Sequence, residues 1–229
     1  MGKILKNYKV ALGVLLKKPV LLWGLSLLSM LLMMLIAVFG LIPLIVVPVV
    51  VTLEASLYML FYKGLKGEEV SSADLFTGFS NFKHVAGGML WAELWVIIWG
   101  LIPIVGPIFA IIKSYEYRFT PFILMTRPEI GATDAIKESK KMTYGIKGSM
   151  FGADIFIALG FYVIVLVLSL FAQIPYIGVL FGIALFVLYV LYVALCPIFY
   201  GLVMASYYDN ALPKESPIEI EVAPIAPEV

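Results

Sequence analysis

Six ionisable side chains stand inside long apolar stretches of this sequence, and their types allow ion pairing, proton binding or cation binding. They are Glu54, Glu93, Lys113, Glu116, Arg118 and Asp154. A charged group at the centre of a bilayer costs about 3 kcal/mol or more, so it normally faces the interior of a helix bundle or a water-filled cavity. The sequence therefore predicts an intramembrane polar cluster built from these six residues.

The depths of these residues favour a single central cluster. At a helix rise of about 1.5 Å per residue, four of them lie about 12–15 Å from the nearest charged segment, and these are Glu54, Glu93, Glu116 and Arg118. Asp154 is shallower and Lys113 is deeper. Because the residues come from four different apolar segments, their common depth would let them meet in the middle of a bundle.

The charges in this cluster do not balance. Lys113 and Glu116 are three residues apart and can pair on one helix face, whereas Arg118 needs a carboxylate from another segment. Four carboxylates against two cations leave two carboxylates unmatched, so we expect at least one to be protonated or to meet water or a bound cation. The alternative is that the polar contacts only hold helices together, at about 1 kcal/mol each.

Composition places the chain in a membrane. Of its 229 residues 62% are hydrophobic and 14% are charged, against about 45–50% and about 25% in soluble domains, and the mean hydropathy is +1.04. The single cysteine, Cys196, excludes an internal disulfide and a cysteine metal cluster. With one histidine and no hydrolase or nucleotide motif, we expect no enzyme, no cofactor and no metal site, and the net charge of +1 predicts no nucleic-acid partner.

The apolar stretches predict an all-α integral membrane protein with six transmembrane helices arranged as three hairpins. A span needs about 20 largely apolar residues, and the predicted spans are 19–40, 43–62, 85–102, 106–126, 149–172 and 176–208. All but two of the lysines and arginines lie outside these spans, in segments that the positive-inside rule places in the cytoplasm together with both termini. The alternative for 106–126 is an interfacial helix, which would put the 127–148 lysines on the opposite side.

Each hairpin follows an amphipathic segment that we expect to lie on the cytoplasmic leaflet. Residues 1–212 are predicted to form one polytopic domain, and 213–229 a mobile acidic tail. Basic side chains beside a membrane favour anionic headgroups. The lysines predicted to contact headgroups are Lys3, Lys6, Lys9, Lys17, Lys18, Lys140 and Lys141.

Several stretches resemble a known family. The segments 75–79 (Leu-Phe-Thr-Gly-Phe), 113–118 (Lys-Ser-Tyr-Glu-Tyr-Arg) and 121–124 (Pro-Phe-Ile-Leu) resemble the bacterial and archaeal family of small polytopic membrane proteins called domain of unknown function nine-seven-five. More distantly, the chain is similar to the membrane domain of some glycerophosphoryl diester phosphodiesterases. The resemblance implies a polytopic helical fold and no particular activity.

Three functions stay open at the level of the sequence. The first is a non-catalytic membrane protein that interacts with lipids or organises the bilayer or partner proteins. The second is a small transporter, channel or transporter subunit with a mid-membrane carboxylate site, which Gly-x-Pro breaks within the spans would favour, although the breaks in this sequence lie mainly at turns. The third is a membrane partner of a soluble phosphodiesterase. Membrane lipids are the predicted partners, with a homo-oligomer or a second membrane protein as open alternatives.

Overall fold

A computed structural model of the chain describes residues 2–17, 19–38, 43–174, 176 and 178–213, and all regular structure in these ranges is helical. The predicted acidic tail and Lys18 lie outside the described residues, as do the side chain of Lys3 and most of the first predicted outer turn. In chain order the elements are α1 (Gly2–Lys17), α2 (Pro19–Val38), α3 (Pro43–Lys66), the 3₁₀ helix η1 (Ser72–Asn81), α4 (Phe82–Gly100), α5 (Gly106–Glu116), α6 (Thr120–Thr126), α7 (Ala132–Met142), α8 (Lys147–Phe171) and α9 (Gly178–Ala211).

Three helices are long and apolar enough to cross a membrane, with a fourth crossing if a bent pair of helices acts as one span. The three are Val46–Lys66 within α3, Lys147–Phe171 and Gly178–Ala211, and the pair is Ile4–Lys17 with Leu21–Met34, bent by 96°. In α4, the polar side chains of Lys83, His84 and Glu93 lower the hydropathy. The all-helical fold is thus confirmed, its long apolar helices are compatible with a membrane protein, and the count of six spans stays a prediction.

The predicted single helix over 106–126 is wrong, because a turn at 117–119 divides it into α5 of 11 residues and α6 of 7 residues. Pro121 stands in the first turn of α6. Its nitrogen cannot donate to the carbonyl four residues earlier, and its ring would clash with that carbonyl in a continuous helix. Continuing α5 through this proline would cost about 3 kcal/mol, so the helix ends and begins again.

Hydroxyl groups of α7 satisfy the backbone groups that this break leaves free. The Ser139 hydroxyl donates to the carbonyl oxygen of Glu116 at 2.8 Å, and the Thr143 hydroxyl donates to the same oxygen at 3.3 Å. The N–H of Phe119 donates to Ser139 Oγ at 3.1 Å. Buried backbone groups need such partners, so α7 is part of the bundle and also closes the break.

The core lies in the half of the bundle that contains α1, η1, α6 and α7. Phe61, Phe119 and Phe122 are fully buried there, and the rings of Phe122 and Tyr208 stack at 4.6 Å. In contrast, the far halves of α8 and α9 expose apolar side chains on most of their surface, Phe186 to 68%. Such a surface needs an apolar surrounding, which agrees with membrane association.

The 3₁₀ helix η1 is fixed to α3 by one ion pair and one close backbone approach. Lys63 Nζ lies 2.6 Å from Asp74 Oδ1, and the N–H of Ser71 donates to Asp74 Oδ2 at 2.7 Å. The N–H of Gly78 donates to Ser56 Oγ at 3.0 Å, and a Cβ at Gly78 would stand only 2.7 Å from that oxygen. This contact explains why a glycine occupies position 78.

Replacing Gly201 tests the packing of α9 on α3. A Cβ at Gly201 would overlap the buried ring of Phe61, whereas a Cβ at Gly160 would meet nothing within 4 Å. We expect Gly201→Ala to lower stability by about 2 kcal/mol through overpacking, and Gly160→Ala to leave it unchanged or slightly higher. Thermal unfolding in micelles measures both, and equal melting temperatures for the two variants would contradict the packing described.

Replacing Asp74 tests how η1 is held to α3. Burial acts to raise the pKa of Asp74, but hydrogen bonds from Lys63 and Ser71 outweigh it and hold the pKa below its ordinary value. A lowered pKa stabilises the fold fully above the unfolded value of about 3.9 and loses that effect as the pH falls through the folded value. Asp74→Asn should cost about 1 kcal/mol at pH 7 and nothing at strongly acidic pH.

The matched control is Asp134→Asn, because Asp134 and its partner Lys137 are both 65% exposed. Exposed pairs contribute little, so this variant should follow the wild type at every pH. A stability loss in Asp74→Asn that stays the same between pH 7 and acid would show that the carboxylate charge is not what fixes η1.

Candidate functional site

A polar cavity of about 310 Å³ lies between α3, α4, the α5–α6 break, α8 and α9. It contains four of the six predicted intramembrane residues, together with tyrosines and small side chains. Its lining consists of Glu54, Tyr58, Met89, Ala92, Glu93, Val96, Ser114, Tyr115, Tyr117, Arg118, Thr120, Pro121, Asp154 and Tyr200.

Arg118 is held in this cavity by one carboxylate and two aromatic rings. Its Nη1 donates to Asp154 Oδ2 at 2.8 Å, and its guanidinium carbon lies 4.6 Å and 4.5 Å from the ring centres of Tyr115 and Tyr200. The Tyr115 hydroxyl donates to the same carboxylate oxygen at 2.6 Å. The turn at 117–119 therefore supplies a cation that is fixed by α5, α8 and α9 together.

Two further carboxyl groups line the cavity and have no cationic partner among the described residues. Glu54 is half-buried on α3, and Glu93 is exposed on α4. The guanidinium of Arg118 is already paired with Asp154, so the cavity holds three carboxyl groups and one cation. The sequence predicts an excess of two carboxyl groups over cations, and in the structure this excess lies in a single cavity.

The structure places Lys113 and Glu116 in a separate charged group, which corrects the expectation of one cluster. Glu116 is 5% exposed, and its two carboxylate oxygens accept from Lys113 Nζ at 2.7 Å and from Lys147 Nζ at 2.8 Å. Lys113 also lies 4.9 Å from the ring centre of Trp99. The i, i+3 pairing is as predicted, but Glu116 faces away from the cavity because it ends α5 just before the break.

The sequence did not single out Lys147 or the cavity tyrosines. Tyr58 lies one helical turn after Glu54 and Tyr115 lies beside Glu116, and that spacing was the available signal. The predicted spans leave Lys147 in the charged 127–148 segment, although a long side chain at the start of a span can reach inward. Thr120 also lines the cavity, and its buried Oγ1 has no hydrogen-bond partner in the described part of the chain.

The predicted headgroup lysines that the structure describes all lie on the surface. Those with exposed side chains are Lys6, Lys9, Lys17, Lys140 and Lys141. They belong to α1 and α7, which correspond to the first and third of the three predicted amphipathic segments. Their contact with lipid stays a prediction.

Two isosteric replacements distinguish the contribution to stability of the paired carboxylate from that of an unpaired one. Asp154→Asn removes the anion that holds Arg118, so we expect a stability loss of about 2 kcal/mol, since an unmatched buried charge is costly. Glu93→Gln removes no ion pair and relieves repulsion between carboxylates, so its stability should equal or exceed that of the wild type. Thermal unfolding in micelles compares them, and a large loss in Glu93→Gln would show that this carboxyl group serves only to hold helices together.

No protein-family model, no curated protein and no solved structure matches this chain. Membership of the family called domain of unknown function nine-seven-five therefore stays a prediction from residues 75–151.

Proposed function

We propose that the protein is a non-catalytic membrane protein that binds a proton or a small cation in the polar cavity, as a small transporter, channel or transporter subunit does. The observation that supports this proposal is the presence of three carboxyl groups and one already paired guanidinium in one cavity. The sequence alone favours lipid interaction and predicts two unmatched carboxylates, but it does not show which carboxyl groups line one cavity.

The electrostatics of the cavity favour an added positive charge. Like charges that line one cavity disfavour their common ionisation. Glu54 and Glu93 face one cavity without a counter-cation from the described residues. A proton shared by the two carboxyl groups or a cation between them would relieve this repulsion, and release of that charge would restore it.

The break between α5 and α6 also supports a transport function. Transporters commonly form their sites where spanning helices are interrupted near the middle of the bilayer, and irregular backbone is tolerated at that depth only when it is buried in protein or lines a cavity. Here the turn at 117–119 separates α5 from α6 and brings Arg118 to the cavity wall. This break is not of the Gly-x-Pro kind, but it interrupts the predicted fourth span and does not lie at a turn between spans.

The topology that goes with this proposal has six crossings, with α5 and α6 together as the fourth, and both termini in the cytoplasm. In this arrangement the chain is a multi-pass protein of the cell membrane, and the hairpins are α2–α3, α4 with α5–α6, and α8–α9. The lysines of α1 and α7 then lie on the same cytoplasmic face. The 96° bend between α1 and α2 suits an α1 that lies along the membrane surface.

Lipid interaction is the second candidate, and α1 is the feature that favours it. Lys6 and Lys9 are exposed there, and so are the apolar side chains of Leu12 and Leu16. A helix with exposed basic and apolar side chains binds anionic interfaces. Partnership with a soluble phosphodiesterase rests on the family resemblance alone.

Proteoliposomes that contain a trapped pH dye test the proposal. Under an imposed membrane potential, in buffers of sodium, potassium or choline chloride, we expect the wild type to conduct protons or to exchange a cation for protons. Glu93→Gln and Glu54→Gln should lower the rate about a hundredfold, the lower end of what a positioned acid–base group contributes. Glu129→Gln is the matched control, because Glu129 is exposed outside the cavity.

The folded state of each variant is checked by its melting temperature before reconstitution. Wild-type flux no higher than that of protein-free vesicles in all three salts would contradict the proposal. Equal flux in the wild type and in both cavity variants would contradict it as well, because the carboxyl groups would then play no part in transport.

A further inference from the structure

An apolar groove of about 520 Å³ lies on the outside of the bundle between α5 and the start of α8. It is lined by Ile108, Ile111, Ile112, Tyr115, Lys147, Gly148 and Phe151. The groove is separate from the polar cavity, and the ring of Tyr115 forms part of the wall of both. The Tyr115 hydroxyl donates to Asp154 on the cavity side.

The groove has apolar side chains along its length and a charged side chain at one end. Ile108, Ile111 and Phe151 are exposed to 61%, 50% and 43%. Lys147 is the one charged residue among its lining. From Ile108 to Tyr115 the helix rises about 10 Å. The groove is therefore long enough to contact the part of an acyl chain that lies nearest to the headgroup.

The charged end of the groove lies on the side of the bundle where α7 lies. Lys147 begins α8, only a few residues after the end of α7, and α7 exposes Lys140 and Lys141. The apolar end, at Ile108, lies near the start of α5 and therefore away from α7. The groove thus runs from a basic surface toward the apolar part of the bundle, in the direction that a lipid takes in one leaflet.

The charges at this end favour an anion. Glu116 accepts hydrogen bonds from both Lys113 and Lys147, so the three groups together carry one net positive charge. The Lys147 side chain is 30% exposed, against 14% for Lys113. Lys147 is therefore the ammonium that an outside ligand can reach, and it retains donor capacity because an ammonium has three N–H groups.

We propose that this groove binds an anionic phospholipid of the leaflet that α7 contacts, with one acyl chain against Ile108, Ile111 and Phe151 and the phosphate accepting a hydrogen bond from Lys147. The ammonium of Lys147 at one end of the groove favours an anionic lipid over an apolar helix of a second copy. The site is independent of cation binding in the cavity, so either proposal can fail without the other.

Two replacements test the groove without disturbing the bundle. Gly148→Leu fills it, and a Cβ at Gly148 would meet nothing within 4 Å. Gly160→Leu is the matched control on the same helix, because a Cβ there also meets nothing within 4 Å and Gly160 does not line the groove. Lys147→Met removes the ammonium while Glu116 keeps Lys113 at 2.7 Å.

The measurement is native mass spectrometry of the protein released from nanodiscs that contain equal amounts of phosphatidylglycerol and phosphatidylcholine with the same acyl chains. We expect the wild type and Gly160→Leu to retain one phosphatidylglycerol, and Gly148→Leu to lose it. Lys147→Met should lower the preference for phosphatidylglycerol about fivefold, the factor that one basic side chain near a lipid surface contributes.

Three results would overturn the proposal. One is equal retention of the two lipids by the wild type, since an anion-selective site would then be absent. Another is unchanged retention of phosphatidylglycerol in both Gly148→Leu and Lys147→Met. The last is a wild-type dimer without bound lipid that becomes monomeric in Gly148→Leu, because a second copy would then cover the groove.

Discussion

A guanidinium group that a broken helix turns into the interior of a membrane protein must find an anion there, and Arg118 finds Asp154. That pair joins the α5–α6 break to α8 at 2.8 Å, while the rings of Tyr115 and Tyr200 cover the guanidinium from α5 and α9. Much of the surrounding arrangement follows from it. Because Asp154 is committed to Arg118, the remaining cavity carboxyl groups on α3 and α4 have no cation from the described residues, and the cavity keeps its excess of negative charge.

The break at 117–119 separates two groups of opposite net charge. Glu116, just before the break, faces Lys113 and Lys147 on the groove side, whereas Arg118, within the break, faces Asp154 on the cavity side. One side of α5 is therefore suited to a cation and the other to an anion, with the ring of Tyr115 between them. The hydroxyls of Ser139 and Thr143 make this arrangement stable, because they satisfy the carbonyl that the broken helix leaves free.

Hydropathy and charge placement predicted most of the helices, because segments as apolar as α8 and α9 have few other structures open to them in a membrane. The interruption by Pro121 was not predicted, since proline is tolerated in some membrane helices and its effect depends on whether neighbours such as Ser139 satisfy the freed groups. The distance of each residue from the end of its apolar segment predicted that Glu54 and Glu93 lie near Arg118, and all three line one cavity. That distance does not determine on which side of α5 the Glu116 side chain lies. The turn at 117–119 sets the directions of these side chains, and the Glu116 carboxylate therefore lies beside Lys147 and not in the cavity.

The central claim is that the carboxyl groups of α3 and α4 line a water-accessible cavity rather than a sealed contact between helices. Cysteine accessibility tests it most directly, in a Cys196→Ala background, with a membrane-impermeant thiol reagent applied to each side of intact proteoliposomes. The account predicts that Glu93→Cys is labelled from one side, whereas Ile155→Cys, on the exposed apolar surface of α8, is not labelled from either. Equal protection of both cysteines from both sides would contradict it, because Glu93 would then face lipid or packed protein.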